Sequence, residues 1–208
     1  MPGLIANNIE SAGGSIKPIK NIVTKVNSIS DLLNIDTSKL DDKEQFHVLG
    51  FHEPNDGGGG IFYWDVNEDR ANHNGGTIIS PNAVFPNDWS NTDQQETWFT
   101  SGGTGNGCWK RVVGDYVIPE MFGAKGDGVT DDTRAIQAAI DFLSSGGTVF
   151  LLDKTYMIST IHLYSGVRLK GKTYRDTILK LISGNAVSYT HLRAHETSLH
   201  LVCRLLLE

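Results

Sequence analysis

Residues 118–152 read IPEMFGAKGDGVTDDTRAIQAAIDFLSSGGTVFLL: a short apolar strand, a glycine loop, one helix and a second strand. With Thr130 or Asp131 as N-cap, Ala135, Ile136, Ala139, Ile140 and Leu143 recur at helical spacing. A helix over about 131–144 must therefore bury one stripe. Gly146 and Gly147 stop it. Asp131 and Asp132 fall in the first turn, where a carboxylate accepts from unpaired backbone N–H groups and each contributes about 0.3–1 kcal/mol.

Strand, glycine loop, helix and strand also sketch a dinucleotide-binding unit, but the glycines disagree. Gly123, Gly126 and Gly128 are spaced GxxGxG, whereas a pyrophosphate loop needs GxGxxG. Asp127, Asp131 and Asp132 would also repel a phosphate at this helix N-terminus. No cofactor is expected.

FGAKGDGVTDDTRAIQAAID followed by GGTVFLLDKTYMI resembles the opening motif of the pectate-lyase-like superfamily, whose members are right-handed parallel β-helices. The resemblance implies that the helix caps the N-terminal end of a solenoid. Ala135, Ile136, Ala139 and Ile140 would then plug the stack, covering apolar surface that no earlier coil covers.

Upstream, residues 1–26 are small, polar and patternless and read as a linker or arm. SISDLLNI suggests a short helix capped by Ser28 or Ser30. QFHVLGF, a turn on Asn55, Asp56 and Gly57 to Gly60, and IFYWDV make a hairpin signal. TIISP and GCWKRVV add two strands, and TDQQETWFT a helical turn. This pattern, over 27–113, resembles the small β module that precedes the β-helix in phage tailspikes, especially those that degrade bacterial capsules.

Several residues in the module invite a functional reading. The glycine run at 57–60 lacks a following helix to supply N–H groups to a phosphate, so it reads as a hairpin turn. Tyr63, Trp64, Trp89, Trp98 and Trp109 are candidate sugar platforms, but in a small β domain aromatics fill the core. His47, His52 and His73 have no ligand spacing, and Cys108 reads as a small core side chain. No metal site is assigned.

Downstream, TVFLL, TYMIS, VRLKG and TILKLI read as strands of at most two coils, with Val149 and Val167 stacked 18 residues apart. The start of the β-helix is thus expected over 114–186. From Val187 the texture changes. VSYTHLRAHET and LVCRLLLE resemble translated sequencing adapter in a common frame, so 187–208 is read as an artefact that should not pack on the stack, and the natural chain as truncated. His191, His195, Glu196, His200 and Cys203 are then no site; HETSLH also lacks the HExxH spacing of a zinc protease. Without the tail only Cys108 remains, so no intrachain disulfide is possible.

The chain of 208 residues carries a formal charge of −6 and no Lys/Arg run, which argues against a nucleic-acid partner. No apolar run spans a membrane. Residues 1–15 lack a secretory pattern. The expected class is mostly β: a small β module, a capping helix and the first coils of a β-helix. The resemblance implies the N-terminal part of a virion tailspike, made in the host cytoplasm. When full length it would be a homotrimer that docks to phage tail proteins and binds and cleaves a bacterial surface polysaccharide. A structural tail fibre or adaptor, or a secreted pectin-type enzyme, are the alternatives. No catalytic residue is assigned. Asp127, Asp131 and Asp132 form an acidic cluster, and they read as loop and cap groups rather than acid and base.

Overall fold

The strand signals upstream of Gly114 assemble into one five-stranded sheet. The computed structural model describes residues 23–182 and the main chain of 204–206. β1 (Thr24–Val26) runs parallel to β2 (Gln45–Val48), which pairs antiparallel with β3 (Gly60–Asp69). β4 (Ile78–Ile79) and β5 (Asn106–Arg111) complete the order β1-β2-β3-β5-β4. The hairpin and both later strands match the sequence reading, but the sheet starts before the boundary read at residue 27. Three residues without an apolar pattern pair there because β2 offers a free edge. α1 (Ile29–Leu33) is capped by Ser28, whose hydroxyl accepts from the Asp31 N–H at 3.2 Å. TDQQETWFT forms a nine-residue helix, α2 (Thr92–Thr100), rather than a single turn.

The second half alternates between two parallel sheets. β6 (Asp127–Asp131) leads into α3 (Thr133–Phe142), followed by β7 (Gly147–Leu151), β8 (Thr155–Ile158), β9 (Val167–Gly171) and β10 (Ile178–Leu181). β7 pairs with β9, and Val117 bridges to Val149 on the other side of β7. β6, β8 and β10 line up in the second sheet. The chain therefore lays down successive rungs: Val117 then β6, β7 then β8, β9 then β10. Three rungs stand where the sequence suggested at most two coils, because the first one is set apart from the others by α3 and has no recognisable strand at Val117.

The register corrects one expected pair. Val149 lies beside Leu169, and Val167 beside Gly147, so the rung repeat here is two residues longer than the 18 expected. An offset of two keeps every side chain on its face, which is why the apolar pattern could not reveal it. Val117, Val149, Leu151 and Tyr156 are fully buried, with Ile158 and Leu179 nearly so. The adapter-like tail lies outside the described residues except for β11 (Arg204–Leu206), whose main chain pairs in parallel with β10. Pairing there departs from the expectation that the tail stays off the stack. An open edge of unpaired N–H and C=O groups accepts an extended segment whatever its origin.

α3 buries Ala135, Ile136, Ala138, Ala139 and Ile140. It begins at Thr133, two residues later than expected, because β6 continues to Asp131. Among the described residues, no helix is long and apolar enough to cross a membrane.

Candidate functional site

The module and the rungs meet through a network of polar side chains, most of them in positions that sequence reading did not single out. Arg111, at the end of β5, is 5% exposed, and no carboxylate among the described residues contacts it. Its guanidinium donates to the Gly59 carbonyl at 2.5 Å, Gly58 at 2.9 Å, Gly76 at 3.0 Å and Met121 at 3.4 Å. It also lies over the Phe62 ring, 4.4 Å from the centroid. A fork of five donors is the side chain able to satisfy that many carbonyls at once. Burial pushes its pKa down to about 9, which leaves the cation charged at neutral pH.

The glycine run takes the turn role expected of it and adds a second one. A Cβ on Gly58 would sit 2.2 Å from the Glu120 carbonyl oxygen, so this loop packs main chain against main chain. Asp56 holds its shape by accepting from the N–H groups of Phe51, His52, Glu53 and Gly58. Across the joint, Gly123 adopts φ 95°, and a Cβ there would meet Trp89 at 2.2 Å. Both positions require glycine.

Glu120, on the 3-10 turn Pro119–Phe122, is 1% exposed. The Tyr156 hydroxyl donates to its Oε1 at 2.7 Å and accepts from the Leu152 N–H at 3.0 Å. Lys154 Nζ lies 3.2 Å from the same carboxylate oxygen and also donates to the Asp56 and Lys125 carbonyls at 3.2 Å. Burial, with the Glu120 charge beside it, pushes the Tyr156 phenol well above its ordinary value. This cluster ties the loop of the module to the β7–β8 turn. Glu120 and Tyr156 are closed to solvent, so the group serves as a clasp.

The three aspartates separate. Asp127 shapes the start of β6, accepting from Val129 N, Thr130 N and the Thr130 hydroxyl. Asp131 accepts from the Thr133 N–H at 2.9 Å, so it satisfies the first turn of α3 as expected. Asp132 is instead fully buried and accepts from Lys125 N at 2.7 Å and Gly126 N at 3.1 Å, fastening the preceding loop. Its pKa is pushed up to about 7 by burial, against those two hydrogen bonds and with the charges of Asp127 and Glu120 adding to the rise.

The folded chain therefore holds this proton more tightly than the unfolded chain, whose aspartates titrate near 3.9. Stability attributable to Asp132 should fall as pH rises through roughly 4 to 7, and the loss is complete above that. Asp132→Asn removes the titration. Urea denaturation should show wild-type stability, relative to the variant, declining by on the order of 2 kcal/mol between about pH 5 and about pH 8. A difference that stays flat would place the proton elsewhere. Taking the difference cancels the contribution of His52 and His73, whose pKa values burial lowers.

The remaining candidates are structural. Trp64, Trp89, Trp98 and Trp109 are at most 5% exposed, and Tyr63 is half-buried beside Lys43. The four tryptophans are thus core, as expected, whereas Tyr63 is not. His52 is hydrogen-bonded to the Gly123 carbonyl and His73 to the Trp98 carbonyl, while His47 is half-buried on β2. Cys108 is buried, and burial pushes its thiol up to about 11. Among the described residues, no group of three His, Cys, Asp or Glu side chains could hold a metal ion. A cleft of about 310 Å³ opens between α2 and α3. Its Arg134 already pairs with Glu96 and lies over Phe99, and its Gln137 bonds the His162 main chain.

Known proteins match both halves. Residues 25–114 match the phage tail protein small four-stranded β-sheet domain, and residues 120–195 match the rhamnogalacturonase A/epimerase, pectate lyase-like family. A capsule K30/K69-specific depolymerase of Klebsiella phage K64-1 is 36% identical over 108 residues, covering 51% of this chain and 13% of the phage protein. Mannuronan C5-epimerase AlgE4 of Azotobacter vinelandii is 42% identical over 81 residues, covering 34% of this chain and 14% of the epimerase. Full-length tailspike protein 2 of an Escherichia coli O157:H7 bacteriophage superposes with a TM-score of 0.55 at 26% identity, covering 78% of this chain and 18% of that protein. The chain thus spans no more than about a seventh of these curated relatives. With a phage tail β domain matched at 25–114 and a pectate-lyase-like segment at 120–195, the chain resembles the N-terminal region of a phage tailspike.

Proposed function

We propose that the chain supplies the N-terminal part of a phage tailspike whose full-length form binds and degrades a bacterial capsular or surface polysaccharide. The observation that supports this reading best is the union of the two matched segments in one chain, docked through Arg111, which reaches Met121, and Lys154, which reaches Asp56. On this reading 27–113 is the tailspike module, α3 caps the first coil of a right-handed β-helix beginning at 114, and 1–26 is an arm. Residues 187–208 are adapter-derived. The whole protein is a virion tail component, synthesised in the host cytoplasm and trimeric when complete.

Cleavage falls to coils beyond these residues, and the chain alone is inactive. Glycoside hydrolysis needs two carboxyl groups about 5–9.5 Å apart flanking a bound sugar, with access to it. Here Glu120 and Asp132 are buried, and Asp127 and Asp131 are spent on turns. A second reading has its own support: the A. vinelandii epimerase match points to a bacterial enzyme acting on a uronate polymer. The phage tail domain at 25–114 favours the tailspike.

The test is the full-length gene. Its purified product should lower the viscosity of capsule from its host strain, while the 208-residue chain should not. A full-length product that adsorbs to cells without shortening the polymer would make this a structural fibre. Activity of the 208-residue chain would move the catalytic groups into the rungs described above.

A further inference from the structure

The outward face of the β7–β9 sheet has a composition that the fold does not explain. Alternate residues of a strand share a face, and Val117, Val149 and Leu151 point inward, so Tyr116, Thr148, Phe150, Arg168 and Lys170 face out. Tyr116 is 52% exposed, and its ring centroid lies 5.4 Å from that of Phe150. Lys170, paired in register with Phe150, holds its ammonium 5.9 Å from the Phe150 centroid. Arg168, next along the strand and opposite Thr148, is exposed. Among the described residues neither Arg168 nor Lys170 makes an ion pair, whereas Lys172 beyond them pairs with Asp153. The face thus runs from an aromatic corner to two free cations, in a chain of formal charge −6.

We propose that this face is a contact site for an acidic polysaccharide. The aromatic corner offers two ring faces to the apolar side of a sugar ring, and the cations, one rung along, meet its carboxylate. Nucleic acid is disfavoured because two cations neutralise too few phosphates. The class of occupant rests on the polysaccharide reading above; the location, on the first rungs rather than farther along, goes beyond it.

Titration calorimetry of the 208-residue chain with hexagalacturonate, and with maltohexaose as the neutral control, tests the site. Saturable binding to the uronate alone is expected, weakening as salt is added. Phe150→Ala should weaken it by up to about tenfold and Lys170→Glu by about fivefold or more. Lys39→Ala, on the module, should leave it unchanged. Lys170 is exposed, so its variant keeps the test valid if Phe150→Ala misfolds. Absence of uronate binding by a folded chain, equal binding of the neutral sugar, or indifference to Lys170→Glu would each overturn the proposal. So would concentration-dependent self-association abolished by Lys170→Glu, since a second copy would then own the face. Viscosity loss caused by the full-length protein is a separate result: it can stand while this site fails, and the site can stand while it fails.

Discussion

Ile136→Asp should cost about 4–5 kcal/mol or prevent folding outright. Ile136 is fully buried on the inner stripe of α3. The substitution removes a buried aliphatic chain, at about 2–5 kcal/mol, and leaves in its place a carboxylate that must either be desolvated or take up a proton. A domain stable by about 5–15 kcal/mol loses a large share of its margin. Ile136→Val keeps the stripe and should cost only about 0.5–1.5 kcal/mol. Urea denaturation followed by tryptophan fluorescence ranks the two. Near-equal costs would mean that α3 does not pack through this stripe.

The second large effect is expected at Arg111. Arg111→Met keeps an apolar stem of similar length but strands the carbonyls of Gly58, Gly59, Gly76 and Met121. An unsatisfied buried polar group costs about 1–3 kcal/mol, and carbonyls lie at the cheaper end, so the sum should be about 3–5 kcal/mol. Arg111→Lys should recover only a minor part, since one ammonium cannot reach a fork of carbonyls on two sides. Full recovery by lysine would show that charge, rather than fork geometry, is what the joint uses.

These two positions mark where the sequence speaks and where it stays silent. Ile136 announces itself by helical spacing, and the four strands after it by short aliphatic runs between turns. Likewise QFHV and GIFYWDV, with glycine and aspartate between them, declare a hairpin. Arg111 gives no such signal: it ends a strand, and its partners are main-chain carbonyls as far away as Gly58 and Met121, which carry no residue code. The Glu120–Tyr156–Lys154 clasp is hidden for the same reason, being brought together only by docking of the loop at 56–58 on the β7–β8 turn. Asp132 was legible as a carboxylate at a helix start but not as a buried one. Its neighbour Asp131 takes the part-buried cap bond, while Asp132 turns back onto Lys125 and Gly126. The rung register escaped because offsets of two residues leave the inward pattern intact.

The module and the parallel rungs form one unit, held by Arg111 and the Glu120 clasp. Native-state hydrogen exchange tests that unity most directly. The amide of Trp64, bonded to Glu44 in the module, and that of Phe150, bonded to Val117 in the rungs, report on the two halves. Both should exchange through a single opening of equal free energy, and Arg111→Met should lower both by the same amount. If Phe150 kept its protection while Trp64 alone lost it, the halves would be independent domains on a shared chain rather than one unit.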